Sequence, residues 1–258
     1  MSTTDSRIDA AHENLRESFA VLGRALPNGE IHERDGATLV LTGQKDAELN
    51  RLFVGRPPTD AGGLLAWTAA LCRSRGARWM VLATPAAATA LAAPALALDH
   101  AFGRPTQTLL LAGLGALQTA ASPPGLEFER VDSPALADTF THVMADGFGA
   151  PASFYAAYAA PGVWDAPSVR HYLGWYEDEA VATAAAVRLG TMVGIYHVST
   201  VPEFRRRGIG EAITRFALTE AAAEGATIAA LQPTTMSFRV YQRLGFRSLF
   251  SYSTWYGR

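Results

Sequence analysis

The sequence predicts an α+β fold, a mixed and mainly antiparallel sheet flanked by helices. Three observations carry this. The segments "VRHYLGWYED", "AVATAAAVRLG" and "MVGIYHVSTV" are three successive apolar strands separated by short turns, and such short connections join antiparallel neighbours. Helical-period segments flank them along the chain. The two halves also echo each other: "SRGARWMVLATP" (74–85) parallels "AEGATIAALQPT" (223–234). In each a helix ends at Gly-Ala and a short apolar strand reaches a proline, and another helix, a Phe-Gly or Gly-Phe pair and a last strand follow. This is the pattern of a duplicated fold.

Taken in order, the first half reads as a helix over 8–25, then strands at "ATLVLTG" and "ELNRLFVG". A helix over 60–75, the strand "RWMVLAT", an Ala-rich helix and the strand "TQTLLLAGL" follow. The Ser-Pro-Pro-Gly punctuation within "ASPPGLEFERV", from residue 121, marks a boundary. It divides the chain into domains at 1–122 and 126–258. The second half opens with the strand "LEFERV" and a helix over 133–148 with Ser133 as N-cap. A short helix "PASFYAAYA" and the three strands follow. Then come a helix over 208–224, the strand "TIAALQ", a helix over 235–244 and the strand "LFSYSTWY".

Composition narrows the function class. The 258 residues suffice for one large domain or two small ones. With 49% hydrophobic and 18% charged residues, the chain reads as globular rather than disordered. A net charge of -2 gives no general attraction to nucleic acid, so any basic site must be local. Cys72 is the only cysteine, which excludes an intrachain disulfide and fits a reducing cytoplasm; it reads as a small core residue. The polar start "MSTTDSRIDAAHENLRES" has no secretory h-region. Residues 79–98 carry no charge over a bilayer-spanning length, but they are mostly alanine, and Pro85 and Pro94 interrupt them. They read as a strand, a turn and a helix rather than a membrane span. Lys45 is the only lysine beside many arginines and alanines, which suggests a GC-rich bacterial genome.

The chemistry concentrates in "VSTVPEFRRRGIGEA", residues 198–212. A strand ends at Val201-Pro202, three arginines follow, and a helix begins near Gly208. A helix N-terminus carries unsatisfied amides and partial positive charge, and glycine admits a ligand close to the backbone. With arginine added, the turn suits a pyrophosphate. Ile209, Ala212, Ile213, Phe216 and Ala217 form a buried face behind it, with Glu211 and Arg215 as an i,i+4 pair opposite. A P-loop would need Gly-Lys-Ser/Thr here, and a dinucleotide fingerprint would need a third glycine; neither is present. There is likewise no metal-ligand spacing of His and Cys and no Gly-x-Ser-x-Gly elbow.

"VPEFRRRGIG" together with the later "YQRLGF" resembles the GNAT superfamily of acyl-CoA-dependent N-acyltransferases. The family's Arg/Gln-x-x-Gly-x-Gly/Ala pattern is matched by Arg205-x-x-Gly208-x-Gly210. Its tyrosine four residues before Gly-Phe is matched by Tyr241 before Gly245-Phe246. The resemblance covers about 126–258 and implies a tandem GNAT-like fold, with a degenerate first half that binds no CoA: "VGRPPTDAGGLL" stands there in place of the arginine–glycine turn. It implies acetyl-CoA as cosubstrate with no metal, held by Ser199, Thr200 and Val201 along the pantetheine and by Arg205, Arg206, Arg207, Gly208, Ile209, Gly210 and Glu211 around the pyrophosphate. Thr234, Ser237 and Tyr241 complete the contacts, although many relatives have asparagine where Thr234 stands. Tyr241 is expected to protonate the leaving thiolate. His197 is the candidate base for the amine, placed by strand alternation on the face of Ser199 and Val201, with a structural histidine as the alternative. His171, Glu177 and Asp178 are weaker candidates. Phe154, Tyr155, Tyr158, Trp164, Tyr172 and Trp175 either wall the acceptor site or form ordinary core.

The implied function is a cytoplasmic N-acetyltransferase that transfers an acetyl group to a small-molecule or peptide amine by direct attack. No nucleic-acid or membrane partner is expected, and a homodimer is possible. A mycothiol-synthase-like enzyme fits the two-repeat layout. A CoA-binding sensor or interaction module without turnover is the alternative from another class.

Overall fold

The computed structural model describes residues 3–117 and 122–257. The first half contains α1 (Thr3–Ala25), β1 (Glu30–Arg34), β2 (Ala37–Leu41), β3 (Arg51–Val54), α2 (Ala61–Ser74), β4 (Trp79–Ala83), α3 (Pro85–Ala97), β5 (Ala101–Phe102) and β6 (Thr106–Ala112). The second contains β7 (Leu126–Arg130), α4 (Pro134–Phe148), α5 (Ala152–Tyr155), β8 (Val169–Tyr176), β9 (Glu179–Leu189), β10 (Met192–Thr200), α6 (Ile209–Ala223), β11 (Ile228–Leu231), α7 (Phe238–Arg243) and β12 (Arg247–Gly257). The architecture is the expected α+β arrangement, with a mainly antiparallel sheet and flanking helices.

The chain forms two compact units, Met1–Thr108 with Ser248–Arg258, and Leu109–Arg247. They divide the chain elsewhere than at the expected 1–122 and 126–258, because the last strand of each half crosses over. Leu109–Ala112 of β6 pair antiparallel with β11 in the second unit, and Ser253–Gly257 of β12 pair antiparallel with β4 in the first. Edge strands leave unpaired backbone groups, and each crossing covers one such edge. Ala121, the first residue of the expected boundary segment, lies outside the described residues.

Within the first unit the strands run β1-β2-β3-β4-β12, antiparallel except for β3–β4. Within the second they run β6-β11-β10-β9-β8-β7, antiparallel except for β10–β11. Adjacent residues of β8 show the two covered faces. His171 stacks on Phe140 of α4 at 4.3 Å, and Tyr172 meets Phe216 of α6 at 5.3 Å. β9 passes between the two helices, and its run Val181–Val187 is buried on both faces. Its alanines let α4 and α6 approach the sheet closely.

Three local expectations need correction. β1 was not expected; its polar "EIHER" is only half-buried, so it carries little of the apolar alternation that marks a strand. α3 runs through Pro94 rather than breaking there: the ring forgoes its own amide bond to the preceding turn, while its carbonyl still accepts from the Leu98 amide at 3.1 Å. α7 spans only Phe238–Arg243 rather than 235–244, because Thr234 and Ser237 bind each other in the turn that precedes it. Ser133 does cap α4, accepting from the Leu136 amide at 3.3 Å. Cys72 is buried, which pushes its thiol up to about 12 and leaves it a packing residue.

Candidate active site

The site begins where two strands part. β10 and β11 are parallel partners only over Met192–Gly194 and Ile228–Ala230. From Ile195 onward β10 pairs with β9 alone, and β11 ends one residue further on at Leu231. β10 also bulges here. Tyr196 stands opposite Ala185 and Ser199 opposite Thr183, so His197 and Val198 together face the single residue Ala184. His197 takes a φ of 51°, in the left-handed region that non-glycine residues avoid. Simple alternation therefore does not set its direction. Its ring still turns to the side of His171, standing 4.4 Å edge-on to Tyr158. Ser199 is buried against α4, where a Cβ on Gly147 would come within 2.5 Å of its Oγ. Thr200 faces α6, near Gly210.

The turn after β10 holds an open helix end. Arg206 and Gly208 both have positive φ, at 63° and 82°. Gly208 is the N-cap of α6, and no side chain caps that helix. Among the described residues the backbone amides of Arg206 through Glu211 find no acceptor, and the first amide of the helix that does is Ala212, to Gly208 O at 2.9 Å. Successive amides turned the same way by left-handed residues form an anion-binding concavity. Ile209 and Ile213 are buried behind it and fix its position.

The arginines divide by role. Arg205 binds backbone carbonyls, with Nε on Thr200 O at 3.1 Å and an Nη on Gly147 O at 2.8 Å, and so ties the turn to the end of α4. Arg206 is exposed. Arg207 donates to Glu203 O at 3.2 Å and lies 4.8 Å over the Phe204 ring. Glu211 is ion-paired to Arg215 at 3.5 Å and to Arg243 at 2.9 Å, which joins the first turn of α6 to α7. A cavity of about 660 Å³ opens beside Arg207 and Gly208, lined also by Pro123, Phe128, Arg215 and Phe216. It lies towards β7, at the far edge of the sheet from the parted strands.

Tyr241 is 6% exposed, its ring 5.9 Å from Phe246. Burial pushes its phenol up to about 12, while the Ser237 and Thr214 hydroxyls beside it pull the other way. At neutral pH it is therefore a protonated donor. Ser237 and Thr234 bind each other, Oγ to Oγ1, at 3.0 Å.

The expected aromatic group splits between two faces. Phe148, Phe154, Tyr155 and Tyr158 form a chain of ring contacts that reaches His197. Tyr172 belongs to the α6 face, and the Trp175 indole donates to Glu129 at 2.9 Å. His171 is fully enclosed, and burial, then the nearby His197, hold it down to about 3; among the described residues its Nδ1 has no hydrogen-bond partner. Glu177 and Asp178 form the β8–β9 turn, both at positive φ. Among the described residues no group of His, Cys, Asp and Glu is placed to hold a metal ion, and no helix is long and apolar enough to cross a membrane.

Sequence reasoning missed Thr183, Thr214 and Gly147, which touch the candidate residues from β9, α6 and α4. A threonine in an alanine strand or a glycine in a helix carries no motif that would single it out.

Residues 138–246 match the model of the Acetyltransferase (GNAT) family. No curated protein matches the chain. Solved structures share its fold over nearly the whole length. A GCN5-related N-acetyltransferase from Kribbella flavida is similar at 19% identity and a TM-score of 0.74, with 96% of this chain and 95% of that one covered. A tandem GNAT protein from the clavulanic acid biosynthesis pathway is similar at 12% identity and a TM-score of 0.63, with the same coverage. A GCN5-related N-acetyltransferase from Sphaerobacter thermophilus is similar at 15% identity and a TM-score of 0.58, covering 85% of this chain and 76% of that one. Residues 138–246 thus match the GNAT acetyltransferase family, and the chain as a whole shares the fold of a tandem GNAT protein.

Proposed function

We propose that the C-terminal half transfers an acetyl group from acetyl-CoA to a primary amine of a small molecule or peptide. The observation that carries this reading is the parting of β10 from β11 directly beside the uncapped, arginine-flanked end of α6. The open amides of Arg206–Glu211, with Arg206 and Arg207, take the pyrophosphate. The parted edge of β10 takes the pantetheine as an added strand, with the thioester near Ser199.

The amine nitrogen attacks the thioester carbonyl carbon. The C–S bond breaks as the amide forms, and the thiolate takes the Tyr241 proton, which solvent replaces. The nitrogen gives its excess proton to His197. Backbone N–H groups at the bulge hold the carbonyl oxygen as it gains charge. The Tyr241 phenol stays protonated at neutral pH, as an acid must before it acts.

One observation favours a second reading. The enclosed Tyr241 also fits a purely structural residue, and the site would then be a CoA-binding module without turnover. Turnover by the wild type separates the two readings, and Tyr241→Phe tests the acid role. The ring and its packing stay, so acetyl-CoA affinity should change little, while the single-turnover rate falls by about a hundredfold or more. An unchanged rate would reduce Tyr241 to packing. CoA binding with no thiol release from wild type across a broad amine panel would establish the binding module.

A further inference from the structure

Thr183 lies in the middle of β9, fully buried, opposite the bulge of β10. Its Oγ1 is 2.7 Å from the carbonyl oxygen of His197 and 2.7 Å from Ser199 Oγ. A carbonyl only accepts, so Thr183 must give it its one proton, and Ser199 must then donate to Thr183. The hydroxyl therefore grips both ends of the bulge. The grip has a physical reason. His197 is held at a φ of 51°, a strained conformation for a non-glycine residue that persists only where the surroundings hold it. The chain of contacts continues. Ser199 fills the space left by the missing Cβ of Gly147, Gly147 O accepts from Arg205, and Arg205 holds Thr200 O.

We infer that Thr183 is a positioning residue, whose hydroxyl fixes the bulge at His197 and thereby sets where the β10 backbone turns away from β11. The consequence for catalysis rests on the proposed function: the thioester would sit beside this backbone, and Thr183 would act through it without touching substrate. Ser199, with its proton directed at Thr183, is excluded as a donor to the thioester oxygen, which leaves that task to backbone amides.

The test compares Thr183→Val, nearly isosteric but without the hydroxyl, with Thr183→Ser, which keeps it. Hydrogen–deuterium exchange of ligand-free protein reads the bulge directly. In Thr183→Val the amides of 196–200 should exchange about tenfold faster, because the His197 carbonyl and the Ser199 hydroxyl lose their partner. In Thr183→Ser they should stay near wild type. With acetyl-CoA and the best amine from a panel of ethanolamine, phenethylamine, glucosamine and spermidine, the Val variant should lose about a hundredfold in single-turnover rate, as expected for a reacting group displaced by about 1 Å. CoA affinity by calorimetry should hold, and Ser should restore the rate. Unchanged exchange in Thr183→Val, or equal damage in both variants, overturns the inference. If wild type acetylates no amine, the proposed function falls, and the exchange arm still decides whether Thr183 holds the bulge.

Discussion

The two halves use one topology to opposite ends. In each, a parallel strand pair is joined by a helix that follows its first strand: β3–β4 by α2, and β10–β11 by α6. In the first half the pair is closed. Arg51–Val54 match Met80–Ala83 throughout, Thr84 N reaches Val54 O at 3.0 Å, and Thr84 Oγ1 reaches Gly55 O at 2.6 Å. The His12 ring covers Gly55, standing 3.0 Å from where a Cβ would be. The helix end is closed too, because Asp60 accepts from Gly63 N at 2.9 Å and puts negative charge where the second half has arginine. In the second half the strands pair for three residues and part, and α6 has no side-chain cap. The difference teaches that a CoA-type cleft is a matter of what is left unpaired. A carboxylate and two hydrogen bonds at the strand ends close in the first half what the second half leaves open.

The largest effect on this contrast should come from giving the second half the sign of the first. Arg206→Glu with Arg207→Glu should weaken acetyl-CoA binding by about a hundredfold or more, since two charge-assisted contacts become repulsions. Calorimetry measures it, and an unchanged affinity would place the pyrophosphate elsewhere. The milder Arg206→Ala with Arg207→Ala should cost on the order of tenfold, with melting temperature little changed.

How much of this contrast was legible in the sequence follows from what each feature depends on. The arginine–glycine turn was legible because ligand chemistry, glycine freedom and helix start fall within one short stretch. The α+β class was legible because β8, β9 and β10 are long, apolar and closely spaced. The crossing of β6 and β12 was not, since strand partners across more than a hundred residues leave no local mark. The commitment of Arg205 to Gly147 and Thr200 is a long-range geometric fact, and a motif shows only the residue type. The bulge at His197 was hidden for a different reason: alternation assumes a regular strand, and the side chain that breaks it, Thr183, lies on a neighbour. The repeat also misled at Phe102-Gly103 and Gly245-Phe246. Phe246 is fully buried, whereas Phe102 is 64% exposed, so the matching letters do not occupy matching environments.

Smaller effects sharpen the comparison through stability. Each half encloses a histidine against its core, and burial holds His12 down to about 4 and His171 down to about 3. The folded state binds fewer protons than the unfolded chain below about pH 6.5. Each histidine therefore contributes stability that is present above that pH and is lost as pH falls towards 4 for His12 and 3 for His171. Melting temperature should fall through this window, and His171→Leu should flatten the part due to the second half. An equally steep fall in that variant would assign the loss to other groups. Smallest of all, Asp60→Ala should cost about 1 kcal/mol of stability through the lost cap and leave acetyl-CoA affinity unchanged. A gain of a second binding event in that variant would mean that Asp60 alone keeps the first half closed.

The central claim is that the chain holds CoA in one half and excludes it from the other, and the stoichiometry of acetyl-CoA binding tests this most directly. Titration calorimetry on the full chain should give one site per chain in the micromolar range, and that site should weaken in the Arg206→Ala, Arg207→Ala variant. Two sites per chain, or a single site indifferent to those arginines, would contradict the account, as would no binding at millimolar acetyl-CoA.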